Sequence, residues 1–420
     1  MTTLESSDTP KKSIIVLGGS YGGISVTHYL LKHVLSKLPD MDTYEVVLVN
    51  PSAEVLDRPA CPRALISDDL LPQDKLFVNI PRLFEIYPKN YFRFIQGAAI
   101  ELKHTESRIS IAQSSGGTST LQFHALVVAT GASTPSPLLS INRDTAFLRD
   151  SWAKFRDALP RAKTIVIAGG GPAGIETAGE LGEYLNGRAG FLGAKAENPK
   201  CAITVVTAQS KILPVLRPAI AADAETMLAK LGVAVIKNAR VASVAPGGAG
   251  TDDVGAKATV TLEGGKTLEA DLYIPATGTV PNTGFVAREL LAADGRVRVN
   301  AATFRVDDAV GARIYAIGDV ASATRPAVHN IFPAVPVLCA NMKKDLLLAA
   351  GDGGAEGMQD REFKEDTREA QFVPIGRGKG VGAVLGYRVP SFLVWAIKGR
   401  DYWLWTLGNL WSGKQWAKES

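Results

Sequence analysis

The segment TIVIAGGGPAGIE, from Thr164 to Glu176, decides the fold of this chain. A β-favouring run meets a glycine cluster, and an amphipathic stretch through Leu185 follows, which is the pattern of strand, tight turn and helix. Gly169, Gly171 and Gly174 fit the spacing GxGxxG, in which the first glycine permits the turn, the second lets backbone approach a pyrophosphate, and the third packs helix on strand. The segment therefore predicts a dinucleotide-binding βαβ unit.

A second copy of this pattern lies about 150 residues earlier in the chain. The strand SIIVL, Ser13 to Leu17, runs into a glycine loop, and another strand follows from Tyr44 to Asn50. Ser20 takes the place of the second glycine, and Asn50 stands where a carboxylate usually holds the ribose of an adenosine. Because an amide can still donate and accept, we expect binding at reduced affinity. Two such units are an internal repeat of domain size, which predicts two doubly wound domains.

The end of the second strand in the later copy bears on the choice of coenzyme. That strand ends at Thr207, again without an acid. A carboxylate there would repel the 2′-phosphate of NADPH, and Lys211 and Arg217 follow close behind. We therefore expect NADPH to be used at least as well as NADH. The alternative, that these two residues are ordinary surface cations, stays open.

Length and composition exclude several classes of protein. At 420 residues and 44.6 kDa the chain is longer than one hydrophobic core usually organises. Hydrophobic residues make up 46% of it and charged residues 21%, which argues against a disordered protein. The net charge of +4 is too small for a general nucleic-acid binder. No stretch approaches the roughly 20 apolar residues of a spanning helix.

The cysteines and the amino terminus indicate the compartment. Cys61, Cys201 and Cys339 lie far apart and show neither a metal-binding nor a redox spacing. This usage predicts a reducing compartment, by default the cytoplasm. Residues 1–12 carry two acids and no apolar run, so we expect neither a secretory signal nor a mitochondrial presequence, and Thr2 excludes myristoylation.

Further motifs follow the glycine loops in a fixed order. The triplet ATG ends a strand in each half, at Ala129-Thr130-Gly131 and Ala276-Thr277-Gly278, and the strand RIYAI leads into Gly318-Asp319. With these landmarks the chain resembles flavoproteins in which an NAD(P)H-binding domain is inserted into an FAD-binding domain. The resemblance implies an α/β fold with two Rossmann-like dinucleotide-binding domains and a small C-terminal domain. The expected boundaries are 11–144 and 286–345 for the FAD domain, 145–285 for the NAD(P)H domain, and 346–420 for the C-terminal domain.

Within that superfamily the chain is most similar to the apoptosis-inducing-factor-like oxidoreductases, which include ferroptosis suppressor protein and its fungal relatives. The similarity rests on GGSYGG in the first loop, ACPR at 60–63 and PIGRGKGVG at 374–382. It implies that Arg63 contacts FAD, that Ala99 meets the adenine through its backbone, and that Asp319 bonds the ribityl chain. It also implies that Glu176 lies near the nicotinamide, as the candidate catalytic residue. The expected cofactor-binding residues are Gly18, Gly19, Ser20, Gly22, Gly23, Asn50, Arg63, Ala99, Thr130, Gly131, Asp319, Gly169, Gly171, Gly174, Glu176, Thr207 and Gly278.

The expected reaction is hydride transfer from NAD(P)H to FAD and then to an acceptor that the flavin can reach. Disulfide reduction is excluded because it needs a cysteine pair beside the flavin. A small quinone-like acceptor is the first hypothesis, and a redox-partner protein is the second. Two alternatives stay open: a redox-sensing or death-effector flavoprotein with incidental turnover, and a tailoring oxidoreductase of a specialised metabolite. Nothing in the sequence specifies an oligomeric state.

The C-terminal tail concentrates aromatic and basic residues. Five of the six tryptophans fall within its last 26 residues, interleaved with four cations. On a helix, Trp403, Leu407, Leu410 and Trp411 share one face, which predicts an interfacial helix in peripheral contact with a membrane. The alternative is that this face packs on the protein's own core or on a second subunit. Upstream, a helix is expected over 335–347, beginning at Pro336, with its N-terminus towards the flavin.

Overall fold

Two sheets form the centre of the fold in this computed structural model, the first mixed and the second parallel, and the structure describes residues 11–188, 196, 198–306 and 313–419. The expectations drawn from residues 1–10 therefore lie outside the described chain. The first sheet contains, in spatial order, the strands Ile314–Ala316, Ala125–Val128, Lys12–Leu17, Tyr44–Asn50, Phe92–Lys103, Arg108–Gln113 and Thr118–Gln122. Its edge strand Ile314–Ala316 pairs in parallel with Ala125–Val128, so the chain returns to this sheet after building the second one.

The strands of the second sheet lie, along the sequence, between Ala125–Val128 and Ile314–Ala316 of the first sheet. In spatial order these parallel strands are Val233–Ile236, Ala202–Val206, Thr164–Ala168 and Leu272–Pro275. The strands Val241–Ala245, Ala258–Leu262 and Thr267–Ala270 form a separate antiparallel sheet. The expected α/β fold of two Rossmann-like domains, one inserted in the other, is confirmed.

Short strand pairs and helices complete the architecture. The remaining strands are Glu54–Leu56 with Phe77–Asn79, Ala132–Ser133 with Val280–Pro281, and the C-terminal sheet of Gln371–Pro374, Gly380–Val384 and Tyr387–Arg388. The α-helices are Tyr21–Tyr29, Cys61–Ala64, Ile80–Leu83, Thr145–Ala158, Pro172–Asn186, Pro218–Ala229, Val328–Ala349, Ser391–Val394 and Leu404–Trp411. Two of them continue as π-helical turns, at Leu30–Val34 and Trp395–Gly399.

The central strands are continuous apolar runs because helices or loops cover both faces of a parallel sheet. Within SIIVL the residues Ile14, Ile15 and Val16 are each 0% exposed. Alternate residues of the strand enter different cores: Ile14 and Val16 face the glycine-loop helix Tyr21–Tyr29, whereas Ile15 packs on the opposite side. Burial on both faces holds the strand ends, and thus the loops after them, in fixed positions.

The helix expected to begin at Pro336 begins instead at Val328 and runs to Ala349, so that expectation is wrong by about two turns. Pro333 and Pro336 lie inside it. A proline can open a helix at its first position, which is why Pro336 suggested a start. Here burial of the helix against the first sheet contributes more stability than is lost with the backbone hydrogen bonds that the two prolines cannot donate.

The C-terminal region covers both Rossmann units. Its small sheet packs on the helix Pro172–Asn186, where Gly179 lets the backbone of Ile375 approach closely. Its last helix, Leu404–Trp411, packs on the first glycine-loop helix. Within the described residues, none of the helices combines the length and the apolar character needed to cross a membrane.

Candidate active site

The two glycine loops have the same local geometry. Gly18 and Gly169 have φ angles of +108° and +127°, which L residues with a side chain rarely adopt. A Cβ on Gly18 would lie 2.3 Å from the carbonyl oxygen of Ala129, and one on Gly169 would lie 2.2 Å from that of Ala276. The first residue of each ATG triplet therefore contacts the first glycine of its loop. The repeat inferred from the sequence is thus also a repeat in the three-dimensional structure.

The third glycine of each loop joins helix to strand. A Cβ on Gly23 would lie 1.7 Å from the carbonyl oxygen of Gly18, and one on Gly174 would lie 2.1 Å from that of Gly169. Any side chain here would push the helix away from the loop, which explains why both positions are glycine. The second position is different, since a Cβ on Gly171 would meet nothing within 4 Å. Ser20 occupies the matching position of the first loop, so its side chain can be accommodated by the protein.

Asn50 braces the first loop from the end of the neighbouring strand. Its Oδ1 accepts a hydrogen bond from the backbone N–H of Gly19 at 2.8 Å, and its Nδ2 donates to the carbonyl oxygen of Ser52 at 2.7 Å. In the second loop the Thr207 side chain lies close to Gly170, and its hydroxyl accepts a hydrogen bond from the backbone N–H of Gln209 at 3.3 Å. Asn50 therefore holds the first loop in shape as well as standing where a ribose is expected.

A single cleft of about 890 Å³ opens beside the first loop. It is lined by ten of the expected site residues: Gly18, Gly19, Ser20, Gly22, Asn50, Ala99, Thr130, Gly131, Glu176 and Asp319. Gly23 lies beneath the loop in its packing role. Gly169, Gly171, Gly174, Thr207 and Gly278 lie at the second loop and do not line this cleft. The start of the second glycine-loop helix does line it, through Pro172 and Glu176, so both loops contribute to one space.

The walls of the cleft fit a flavin dinucleotide. The N–H groups in the first turn of the helix Tyr21–Tyr29 have no carbonyl within the helix to which they can donate, and this turn faces the cleft. Free N–H groups at a helix N-terminus are suited to bind a pyrophosphate. Asp319 offers a carboxylate for a ribityl hydroxyl, and burial raises its pKa while Arg58, 3.9 Å away, opposes that shift. The long helix begins at Val328 on the cleft wall, which favours negative charge nearby.

Arg63 is placed differently from the expectation that it contacts FAD. Its guanidinium forms a buried, two-pronged ion pair with Glu180 at 2.7 and 3.1 Å and lies 4.8 Å from the centre of the Tyr402 ring. It does not line the cleft. Arg58 and Arg143 do line it, and Nη1 of Arg58 donates to the carbonyl oxygen of Ala132 at 3.0 Å. A buried guanidinium needs a paired carboxylate, and Glu180 supplies it.

Glu176 forms a buried ion pair with Lys398. The Nζ of Lys398 lies 2.5 Å from Oε1 of Glu176 and 3.3 Å from the carbonyl oxygen of Phe372. Both side chains are almost fully buried, yet both line the cleft. Burial raises the pKa of Glu176 to about 7, although the Lys398 ammonium acts in the opposite direction. The pair can therefore hold and release a proton near neutral pH at the wall of the cleft.

Two consecutive aromatic residues follow this pair in left-handed backbone conformations. Tyr402 has φ +55° and Trp403 has φ +72°. Such conformations cost on the order of 1 kcal/mol or more each in residues that carry a Cβ. Tyr402 is fully buried and its hydroxyl donates to Oε1 of Glu180 at 3.0 Å, which holds the turn in place. Trp403 lines the cleft, with Nζ of Lys398 4.9 Å from its ring centre.

Cys61 also lines the cleft but lacks the properties of a redox thiol. It is 0% exposed, and burial raises its pKa far above neutral. A reactive cysteine is a thiolate, and this site disfavours one. The nearby carboxyl of Asp57 accepts a hydrogen bond from the Tyr21 hydroxyl at 2.8 Å, and burial raises its pKa to about 7. The described cysteines are all free and buried, so no cysteine pair adjoins the cleft.

The two cations expected near the 2′-phosphate position are engaged elsewhere. The Lys211 ammonium donates to the carbonyl oxygens of Leu213, Pro214 and Leu216. Arg217 pairs with the carboxylate of Glu369. Neither residue is available without breaking these contacts, so the surface-cation alternative describes both. The second strand end thus carries no acid to reject a 2′-phosphate, and neither of these two cations is free to attract one.

The C-terminal tail packs on the protein itself. Trp411 and Trp416 are 6% and 4% exposed, and Leu407 and Leu410 are also buried. The ring of Trp411 lies 5.0 Å from that of Tyr21 in the first glycine-loop helix. The face predicted to enter a membrane interface is therefore covered by the first domain, which corrects that interpretation. Its helical spacing was right, but spacing alone cannot say which surface an apolar face meets.

Comparison with known proteins agrees with this geometry. The profile of the family described as pyridine nucleotide-disulphide oxidoreductase matches residues 7–336. The chain belongs to that family. Among relatives of this oxidoreductase, oxidoreductase phnG of Penicillium herquei is 59% identical over 413 residues, or 98% of this chain and 99% of the relative. Ferroptosis suppressor protein 1 of Homo sapiens is 23% identical over 403 residues, or 94% of each chain.

Solved structures share the fold of this pyridine nucleotide-disulphide oxidoreductase. The structure of NDH2 from Plasmodium falciparum in complex with NADH has a TM-score of 0.63 at 16% identity and covers 92% of this chain and 94% of that one. The water-forming NADH oxidase from Lactobacillus brevis has a TM-score of 0.57 and covers 85% and 71%. The chain is an oxidoreductase that binds FAD and NAD(P)H, as its sequence motifs indicated.

The cleft residues that were not singled out as site residues from the sequence include Arg58, Lys398 and Trp403. Arg58 lies five residues before the arginine that was chosen, and only the short helical turn Arg58–Ala60 shows which one faces the cleft. Lys398 and Trp403 were noticed, but as part of a membrane tail. The signal that could have found them is the buried Glu176, because a carboxylate inside a protein requires a cationic partner.

Proposed function

We propose that this oxidoreductase catalyses two-electron transfer from NAD(P)H, through FAD, to a small quinone-like acceptor. The observation that carries the proposal is that the start of the second glycine-loop helix and the first loop from Gly18 to Gly22 line one cleft, with the Glu176–Lys398 pair in its wall. Bound FAD supplies the hydride chemistry. Reduction of a quinone also consumes one proton from solution, and a buried carboxyl–ammonium pair is suited to deliver it.

The charged and aromatic side chains of the cleft described above have distinct roles in this proposal. The first helix turn and Arg58 hold the dinucleotide, and Asp319 fixes its ribityl chain. Glu176 and Lys398 exchange a proton with the acceptor, and Trp403 keeps water from one side of the cleft. Cys61 takes no part because its thiol stays protonated. Reduction of a disulfide is therefore not part of the proposed activity.

The test is to purify the protein with FAD and follow oxidation of NADPH and NADH separately. Rapid turnover with a soluble 1,4-benzoquinone or naphthoquinone supports the proposal. A reduced state that persists for minutes in the presence of these quinones contradicts it and supports the redox-sensing alternative. Turnover that appears only with a small iron–sulfur protein assigns the electrons to a protein acceptor instead.

Coenzyme use is expected to be balanced. Thr207 ends the second strand without an acid, while Lys211 and Arg217 are engaged elsewhere. We therefore expect kcat/KM values for NADPH and NADH within about tenfold of each other. Thr207→Glu should then disfavour NADPH through repulsion of the 2′-phosphate and leave NADH use nearly unchanged. A strong preference of the parent protein for NADH over NADPH would refute this expectation.

Peripheral contact with an anionic membrane is proposed for a different surface from the buried tail face. Exposed apolar side chains are concentrated in residues 385–395, where Tyr387 is 77% exposed, Phe392 66% and Trp395 40%. The exposed guanidinium groups of Arg388 and Arg400 lie near them in the chain and pair with Asp223 and Asp401 at 2.6 and 3.6 Å. Aromatic rings flanked by cations are what an interfacial segment needs. The buried, unpaired cysteines are compatible with a reducing cytoplasmic location, which we propose on that ground.

A further inference from the structure

The indole of Trp403 borders the cleft, with the Lys398 ammonium beside its ring. The side chain is partly exposed and lines the cleft. Within the described residues its Nε1–H donates to no acceptor, whereas the neighbouring Trp405 donates to the carbonyl oxygen of Ile397 at 3.2 Å. A buried tryptophan usually finds an acceptor for this donor, and the partly exposed Trp403 has none among those residues. Trp403 and Lys398, whose ammonium lies 4.9 Å from the ring centre, both line the cleft.

The position of this indole is set by its buried neighbour. Tyr402 is 0% exposed, its backbone N–H donates to the carbonyl oxygen of Lys398 at 2.6 Å, and its hydroxyl donates to Glu180. The Arg63 guanidinium covers its ring at 4.8 Å. These contacts hold Tyr402 and Trp403 in the left-handed conformation that turns the indole to the cleft. Arg63, which was expected to bind FAD, thus helps to position Trp403 in the wall of the cleft.

We infer that Trp403 forms the stacking wall of the acceptor subsite, and that the acceptor is a planar quinone-like ring compound with a ring carbonyl oxygen. The ring lies on the indole and the oxygen points towards the Lys398 ammonium. This inference rests on the proposed function. In the reaction NAD(P)H gives up a hydride equivalent and solvent supplies one proton through the Glu176–Lys398 pair. The two carbonyl groups of a quinone then become two hydroxyl groups, which balances electrons and protons.

An extended ring system should gain most from this wall. Stacking on an aromatic side chain grows with the overlapping area, so a two-ring naphthoquinone should bind better than a one-ring benzoquinone. An acceptor that takes electrons without stacking, such as ferricyanide, should not depend on Trp403. The two quinones and ferricyanide therefore separate recognition of the acceptor from the reduction step.

The experiment compares the FAD-loaded parent with Trp403→Leu and Trp403→Phe. Trp405→Leu is the matched control, because Trp405 is 58% exposed, lies two residues away and does not line the cleft. Binding of 2-methyl-1,4-naphthoquinone to the oxidised protein is measured by calorimetry without NADPH. Steady-state KM and kcat are measured with naphthoquinone, benzoquinone and ferricyanide, and reduction of the flavin by NADPH is followed by stopped flow.

For Trp403→Leu we expect Kd and KM for the naphthoquinone to rise about tenfold, the loss of one aromatic stacking partner. KM for benzoquinone should rise less, while ferricyanide turnover and flavin reduction stay within about twofold of the parent. Trp403→Phe should retain most of the affinity, and Trp405→Leu all of it. Equal losses with all acceptors, or unchanged naphthoquinone binding, overturn the inference. A higher KM for NADPH also overturns it, because the indole would then serve the nicotinamide.

Failure of the proposed function gives a different result. If the parent itself reduces neither quinone although NADPH bleaches its flavin, the quinone-like acceptor is wrong and the inference falls with it. If the parent reduces quinones and the Trp403 variants behave as the parent does, only the inference fails.

Discussion

At the scale of single residues, the site depends on buried charges whose partners lie far away in the sequence. Glu176 and Lys398 are 222 residues apart, and Arg63 and Glu180 are 117 apart. Each pair joins elements from different parts of the fold. Removing one partner leaves a buried charge unpaired, which lowers the free energy of unfolding by several kcal/mol. These pairs therefore stabilise the contacts between distant segments that form the cleft.

Asp319 should determine how firmly FAD is held. Asp319→Ala removes a partly buried carboxylate from the cleft and with it the acceptor for ribityl hydroxyls. A hydrogen bond to a charged group contributes about 1.5–3 kcal/mol, so the Kd for FAD should rise by roughly 10- to 100-fold. Flavin fluorescence titration of the apoprotein measures it. Asp69→Ala, at an exposed position, is the control, and equal affinities of the two variants would remove Asp319 from the FAD site.

Glu176 should give turnover a pH dependence near neutrality. Burial raises its pKa to about 7, so it is protonated below that pH and loses the proton as the pH rises through it. If it passes this proton to the acceptor, kcat should fall above pH 7. Glu176→Gln should lower kcat on the order of 100-fold and abolish that decline, as loss of a general acid does.

The control for this pH profile lies on the same helix. Glu183 pairs with Arg188 and does not line the cleft, so Glu183→Gln should keep the decline above pH 7. An unaltered profile in Glu176→Gln would show that the titrating group lies elsewhere.

Cys61 should be dispensable for turnover. Its thiol is 0% exposed and burial holds its pKa far above neutral, so it forms no thiolate at pH 7. Cys61→Ala should keep kcat within about twofold of the parent, at a modest loss of stability from the missing sulfur. Steady-state kinetics with a quinone test this prediction. A decrease in kcat of tenfold or more would indicate that the thiol takes part in the reaction.

At the scale of secondary-structure elements, the last helix is clamped to the first. Nε2 of His28 lies 2.9 Å from the carbonyl oxygen of Trp411, and Nε2 of His33 lies 2.8 Å from that of Trp416. The Lys32 ammonium donates to the carbonyl oxygen of Gly413. Three side chains of the first helix and its π-helical continuation thus donate hydrogen bonds to carbonyl oxygens of the tail.

His28 should make this clamp sensitive to acid. Burial lowers its pKa to about 4, whereas an unfolded histidine titrates near 6.5. The neutral ring therefore contributes stability above about pH 6.5, and that contribution declines as the pH falls towards 4. His28→Gln should lower the unfolding free energy by about 1–3 kcal/mol at pH 7.5 and by much less at pH 4.5.

Urea unfolding at both pH values tests this prediction. His124, whose pKa burial also lowers to about 4, titrates in parent and variant alike, so the difference between them reports His28. A stability difference independent of pH would mean that His28 acts by packing alone.

The elements that could be predicted from the sequence are those specified by neighbouring residues. The two glycine loops, the ATG triplets and Gly318-Asp319 are local patterns, because a phosphate cradle is built from one strand, one turn and one helix. The choice between Arg58 and Arg63, the start of the long helix at Val328 and the Glu176–Lys398 pair depend on packing between distant segments. No spacing in the sequence encodes those contacts, so they could not be predicted.

At the scale of the whole molecule, the C-terminal region presents one covered and one uncovered apolar surface. The covered surface, with Leu407 and Trp411, lies on the first domain. The uncovered one includes Phe392 and Trp395 and is the surface proposed to contact anionic lipid. A truncation that removes the C-terminal region cannot test the two surfaces separately, because it would also remove Lys398 from the cleft.

Point substitutions separate the two surfaces. The double variant Phe392→Ser and Trp395→Ser should lose flotation with vesicles rich in anionic lipid, while its quinone turnover in solution stays near that of the parent. Ile86→Ser is the control, since Ile86 is 66% exposed on the first domain. Flotation that survives the double variant, or a parent that does not float, would rule out this surface as the membrane contact.

The clamp between His28 and Trp411 also sets an order of events during synthesis of the chain. The two residues are 383 positions apart, so the first glycine-loop helix is made long before the segment that covers it. At about 5–20 residues per second, the ring of Tyr21 waits on the order of a minute for Trp411 to arrive. During that interval an apolar face of the first domain is open to solvent. The nascent protein should therefore need a chaperone most while residues 30–400 are being translated, and be released from it when the last helix emerges.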